Sequence, residues 1–234
     1  MKRREFTLGL RLGLPVAVGY FSVSFGFGAM AAAQGIRALD AMLISLTNLT
    51  SAGQFAGLTL MVASAGLWEL ILTILVINSR YALMSLALSQ RLGPKTGLLP
   101  RMAAAFINTD EIFALAMAQG PGLSWQFLLG LGCIPVVGWT GGTLCGALAG
   151  SVLPQNIRTA LGVMLYGMFI AIVIPGAKQE KTVAMVAGLA LVGSSLFQWL
   201  PLLKGVSPGI AIVVCTVLAS ALGAWLWPVK EETA

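Results

Sequence analysis

Long charge-free apolar runs dominate this chain and decide which solvent it can fold in. Of its 234 residues, 58% are hydrophobic and 9% charged, whereas a water-soluble domain carries about 25% charged residues. Polar groups are too few to cover a globular surface. A bilayer crossing takes about 20 apolar residues, and Leu12–Ile36, Ala41–Trp68, Ile112–Ile157, Thr159–Ala177, Thr182–Leu203 and Gly205–Val229 are all long enough. Gly120-Pro121-Gly122 is a turn signal that splits the longest run and leaves a helix from about Ser124 to Ser151. Two more segments, Leu67–Gln90 and Arg101–Gln119, are apolar with internal charge. The expectation is an all-α integral membrane protein with eight embedded segments in one membrane domain, 1–234. Its parts are a basic cytoplasmic segment (1–11), a half carrying polar motifs (12–119) and a glycine-rich apolar half (120–234).

Topology follows from charge. Lys2, Arg3, Arg4 and Arg11 place the amino terminus in the cytoplasm by the positive-inside rule. If all eight segments cross, seven basic residues lie inside and six outside, which is no bias. If Ala41–Trp68 instead enters and leaves on the outer side, the balance becomes nine against four. Seven transmembrane helices plus one broken or re-entrant segment are therefore expected. Thr47-Asn48-Leu49-Thr50-Ser51-Ala52-Gly53-Gln54 is the place for the break, because it interrupts an apolar stretch with helix-poor residues. Non-helical backbone at membrane depth survives only against protein or a water-filled cavity.

Composition also removes whole classes of function. Fourteen Lys and Arg lie scattered between apolar blocks, which argues against a nucleic-acid surface. There is no His, and Cys133, Cys145 and Cys215 lack metal-ligand spacing, so no metal or other cofactor is expected. Without a Walker A, GxSxG or HExxH motif, nothing points to an enzyme. Gly138, Gly142, Gly146 and Gly150 form a small-residue ladder for close helix contact, with either an internal helix or a second subunit as partner. Gly19-Tyr20, with Gly26 and Gly28, is echoed at Gly138-Trp139, with Gly142 and Gly146.

The costly residues carry the functional signal. Arg80 sits 13 positions into its segment, roughly 18 Å deep, where a charge costs about 2.5 kcal/mol or more. Asp110 and Glu111 lie midway along Arg101–Gln119. Consecutive helix positions diverge by about 100°, so one acid is expected to pair with Arg80 and the other to face a cavity. Polar neighbours surround these charges: Asn78, Ser79 and Tyr81; Asn108 and Thr109; and Thr47, Ser51 and Gln54, at i, i+4 and i+7 on one side of the broken segment. A zwitterionic amino acid needs an amide-rich or cationic cradle facing an acid. Backbone N–H groups near Ser51–Gly53, or Arg80, suit the carboxylate; Asp110 or Glu111 suits the ammonium or a coupling proton. Phe25, Phe55 and Trp139 are candidates to hold an apolar side chain. The candidate binding set is Thr47, Ser51, Gly53, Gln54, Asn78, Arg80, Asn108, Asp110 and Glu111, with Asp110 and Glu111 as proton-coupling candidates.

Gly19-Tyr20-Phe21 with Phe25-Gly26-Phe27-Gly28, then Ser51-Ala52-Gly53-Gln54-Phe55, Asn78-Ser79-Arg80-Tyr81-Ala82-Leu83-Met84-Ser85 and Thr109-Asp110-Glu111-Ile112-Phe113-Ala114 stand in the order and spacing of a known family. In these motifs the chain resembles the AzlC/YgaZ family, the large subunit of bacterial branched-chain amino-acid exporters. The resemblance implies export of Leu, Ile, Val and other hydrophobic amino acids such as Met across the cytoplasmic membrane, driven by protons. It also implies a small AzlD/YgaH-like membrane subunit of about four spans as partner. Tyr81 stands where the family often has His, and Asn48, Thr50 and Ser51 stand where relatives often have Tyr-Ala-Gly. Transport of another small solute and a non-transporting scaffold are the alternative functions.

Overall fold

The computed structural model describes residues 2–93, 96–119, 122–150, 154, 156, 170, 173–203 and 205–228. Its helices are α1 (Lys2–Ala33), α2 (Ala38–Thr47), α3 (Ser51–Val62), α4 (Leu67–Arg91), α5 (Leu98–Phe106), α6 (Asp110–Met117), α7 (Trp125–Gly150), α8 (Lys181–Trp199) and α9 (Pro208–Leu226). Five of these, α1, α4, α7, α8 and α9, are long and apolar enough to cross a membrane. Most of the run Thr159–Ala177 lies outside the described residues, as do Gly120 and Pro121. The chain is an all-α membrane protein that gathers into two compact units, one of Met1–Phe55 with Asn78–Leu165 and one of Ala56–Ile77 with Tyr166–Ala234.

The first unit is built on α1 and α7. A Cβ on Gly138 would lie 2.6 Å from the Ala17 carbonyl, one on Gly150 would lie 3.0 Å from Ala29 Cα, and those on Gly142 and Gly146 would strike the carbonyls of Phe21 and Phe25. From α1, Gly9 and Gly13 press against the Phe127 and Leu131 carbonyls. The glycine ladder therefore packs on an internal helix, at the backbone-to-backbone distance that small residues permit. Partner numbers rise together, with Ala17, Phe21, Phe25 and Ala29 meeting residues 121 positions later, so α1 and α7 run parallel.

That direction fixes the path between them. Leu123 N donates to Arg91 O at 2.9 Å, which puts the end of α4 beside the start of α7 and on the side where α1 begins. Asn78, half-way back along α4, touches Gly53, whose neighbour Gln54 is bonded to Trp139 in the middle of α7. So α4 runs antiparallel to α1 and α7.

Chain leaving the far end of α1 descends as α2 until Ser45 meets Thr143 at 2.6 Å. It turns at 48–50 and climbs back as α3, which pairs antiparallel with α4 through Gly53 with Asn78 and Gly57 with Ile74. The expected break is present, and the segment re-enters. We call α2–α3 hairpin 1.

A second hairpin replaces a crossing that the sequence led us to expect. Arg101–Gln119 breaks into α5 and α6 because Thr109 is extended (φ −115°, ψ 172°). These helices have 9 and 8 residues, about 14 and 12 Å at helical rise, each under half a bilayer. Hairpin 2 starts where Arg101 caps the end of α4, donating to the carbonyls of Ser89 (2.7 Å) and Gly93 (3.5 Å). Ile107 packs on Gly132 at the tip, and the chain returns to Leu123. Between α1 and α7 the chain therefore crosses once, not twice. Residues 98–123 thus return to the side from which they leave, where the sequence led to the expectation of a crossing.

In the second unit, α8 and α9 pack antiparallel, with Gly193 facing Cys215 and Gly223 facing Val186. Glu69 accepts the Gly209 N–H at 2.9 Å, a carboxylate on the positive end of α9.

Candidate functional site

Tyr20 marks the depth of the site. It lies nine residues beyond Arg11, about 14 Å into a hydrocarbon core of about 30 Å. Its hydroxyl lies 2.5 Å from Glu111 Oε2 and 2.6 Å from Thr109 Oγ1. The carboxylate can only accept, so the single phenolic proton goes to Glu111 and the Thr109 hydroxyl donates in return. Arg80 Nη2 lies 2.9 Å from Asp110 Oδ2, and its guanidinium stacks 5.0 Å over the Tyr81 ring. The two acids do diverge as consecutive helix positions must, Asp110 to Arg80 and Glu111 to Tyr20. Both sit in the first turn of α6, where the positive helix end favours carboxylates. The Arg80 and Asp110 side chains are 46% and 43% exposed, so the ion pair is open to a solute.

Hairpin 1 arrives from the other side with neutral groups. Trp139 Nε1 donates to Gln54 Oε1 (2.9 Å), Gln54 Nε2 donates to Ser45 Oγ (2.5 Å), and the Trp139 ring stands edge-on to Tyr20 at 5.4 Å. Trp139 and Tyr20 thereby join the two tips. A Cβ on Gly53 would fall 2.7 Å from both Asn78 Oδ1 and Thr50 Oγ1, so a larger residue there would displace those side chains. The Oδ1 atoms of Asn78 and Asn108 are buried with no hydrogen-bond partner among the described residues, acceptors that a ligand N–H or a water would satisfy. No acid lies in the first turn of α3, which leaves its positive end uncompensated.

The candidate residues separate accordingly. Arg80, Asp110 and Glu111 come together through α4 and α6, and Asn108 joins them at the tip, donating to Ser85 Oγ at 3.1 Å. Ser51 opens α3, and Gly53 and Asn78 touch. Thr47 does not share a face with Ser51 and Gln54, because the break puts it at the end of α2, where its hydroxyl back-bonds to Leu43 O at 2.8 Å. Gln54 serves the buried network. Phe55 packs on Phe27 at 5.1 Å and is core, not a substrate wall.

Tyr20, Ser45 and Thr143 were not among the candidates. A signal for Tyr20 does exist: it precedes Asn48 by 28 residues, as Tyr81 precedes Asn108 by 27. A long helix with a tyrosine, then a hairpin broken after its asparagine, occurs twice in succession and in opposite orientation. Transporters are often built from such inverted repeats, with the site where broken helices meet.

Comparison with known proteins places the chain among membrane proteins. Residues 15–153 match the AzlC protein family. A membrane protein of Archaeoglobus fulgidus is 33% identical over 192 residues, covering 81% of this chain and 84% of its own. The Escherichia coli inner membrane protein YgaZ is 29% identical over 201 residues, 82% of each chain, and a Helicobacter pylori membrane protein is 28% identical over 162 residues, 65% of this chain and 70% of its own. No solved structure matches. With more than half its length matched, this multi-pass membrane protein belongs to the AzlC family.

Proposed function

We propose that the protein is a secondary transporter that exports branched-chain amino acids, and other hydrophobic ones such as methionine, across the bacterial cytoplasmic membrane in exchange for protons. The observation that carries this reading is the linking of two opposed hairpins through Trp139 and Tyr20, with Asp110 and Glu111 at the tip of hairpin 2 and Arg80 beside them on α4. The amino end of α3, with no acid in its first turn, and the amides of Asn78 and Asn108 suit a carboxylate and its ammonium neighbour. Asp110, held by Arg80, fixes the cation, while Glu111, held by a neutral hydroxyl, is free to exchange a proton or meet the substrate ammonium.

A half-exposed ion pair at this depth would cost about 2.5 kcal/mol or more against lipid, so water or protein must cover it. A small AzlD/YgaH-like subunit, implied by the family resemblance, is the proposed protein cover, and co-purification on expression of both chains tests it. Transport is tested in cells loaded with Leu-, Val- or Met-containing dipeptides. Deletion should raise internal amino acid and lower its external appearance, and equal release with and without the protein would reject the reading.

A further inference from the structure

The two hairpin tips are held in different ways. Hairpin 1 is pinned to α7 by neutral groups in a dry setting. Gln54, Ser45, Thr143 and Trp139 are 0–3% exposed, and their bonds close on one another at 2.5–2.9 Å. None of these groups carries a charge for which a substrate or ion would compete. Hairpin 2 is hydrogen-bonded to α1, among the described residues, through the Tyr20 hydroxyl alone, at Glu111 and Thr109. Its other polar ties run to α4 and the residues just after it, where Asn108 meets Ser85 at 3.1 Å, the exposed Asp110 meets Arg80 and Arg101 at the base holds the Ser89 and Gly93 carbonyls. Its contact with α7 is apolar, through Ile107 on Gly132 and Ile112 in the core cluster. An ammonium reaching Glu111 competes for the oxygen that Tyr20 holds.

We propose that hairpin 2 is the moving gate, on the basic side of the protein, that hairpin 1 is fixed scaffold, and that the Tyr20 hydroxyl is the positioning group that latches the gate. The inference rests on the transport reading for its purpose, but its geometry can be tested without substrate.

The test uses the full chain in membrane vesicles, with Cys133, Cys145 and Cys215 replaced by alanine and one reporter cysteine at a tip. Ile107→Cys reports hairpin 2 from the cytoplasmic face of inverted vesicles, and Leu49→Cys reports hairpin 1 from the outer face; both positions are 7% exposed. Reaction with a membrane-impermeant maleimide is timed. Tyr20→Phe keeps the ring edge on Trp139 and removes only the hydroxyl. It should speed labelling at 107 about tenfold, as loss of a hydrogen bond to a charged group does, with labelling at 49 within about twofold of the parent. Glu111→Ala, which leaves the hydroxyl only Thr109, should also speed it, whereas Glu111→Gln, which keeps an oxygen for the hydroxyl, should label more slowly than Glu111→Ala. Unchanged labelling at 107 in Tyr20→Phe, an equal rise at 49, or equal rates for the two Glu111 variants would overturn the proposal. Leucine flux measured in the same vesicles separates the two claims, since absent flux with the expected labelling would strike transport and leave the latch standing.

Discussion

The carbonyl of Ala17 lies 2.6 Å from where a Cβ on Gly138 would be, the same relation that sets Phe21 against Gly142 and Phe25 against Gly146. Overpacking of this kind costs about 1–3 kcal/mol. Gly142→Ala and Gly146→Ala should each lower the midpoint of thermal unfolding in detergent, while Gly141→Ala, which meets nothing within 4 Å, should leave it unchanged. Equal shifts at all three would refute the parallel α1–α7 register.

Arg80 and Asp110 should behave as a pair. Removing one partner leaves an uncompensated charge at a cost of about 3–5 kcal/mol where the site is buried, and somewhat less in this half-exposed position. Arg80→Gln and Asp110→Asn should each reduce both membrane abundance and leucine export at least about tenfold. The double variant should recover abundance, read by quantitative blotting, without recovering export. Recovery of export would mean that the pair only supports the fold.

Gln54 is expected to stabilise the protein without touching substrate. Gln54→Leu strands Trp139 Nε1 and leaves Ser45 Oγ only its bond to Thr143, and an unmet buried group costs about 1–3 kcal/mol. Combined with Trp139→Phe, the loss in thermal stability should be clearly less than the sum of the two singles, and apparent affinity for leucine should stay at the parental value.

Re-entry of both hairpins can be mapped directly. Cysteines at Arg37 and Gly66, flanking hairpin 1, should react with impermeant reagent only from outside, and cysteines at Thr96 and Gly122, flanking hairpin 2, only from inside. Opposite-side labelling of either pair would restore a crossing.

How much of this was legible in the sequence depends on chemistry that single residues reveal. The break in hairpin 1 announces itself through Asn48, Thr50 and Gly53 in an apolar stretch. That in hairpin 2 does not, because no glycine or proline stands beside Asn108 and Thr109, and the extended backbone at Thr109 is a tertiary outcome. The Arg80–Asp110 pair follows from the cost of burying a lone charge. The Tyr20–Glu111 bond does not, since a tyrosine in a span reads first as packing and its partner lies 91 residues away. The glycine ladder declared a close contact, and only the fold shows that α1 supplies it.

Central to this account is the exchange of a proton at Glu111 against substrate at the hairpin tips. Leucine uptake into inverted vesicles, followed with and without an imposed proton gradient in the parent and in Glu111→Gln, tests it most directly. The parent should accumulate leucine only when the gradient is present. Glu111→Gln should equilibrate leucine at a rate the gradient does not alter. Gradient-driven accumulation by Glu111→Gln at the parental level would contradict the account.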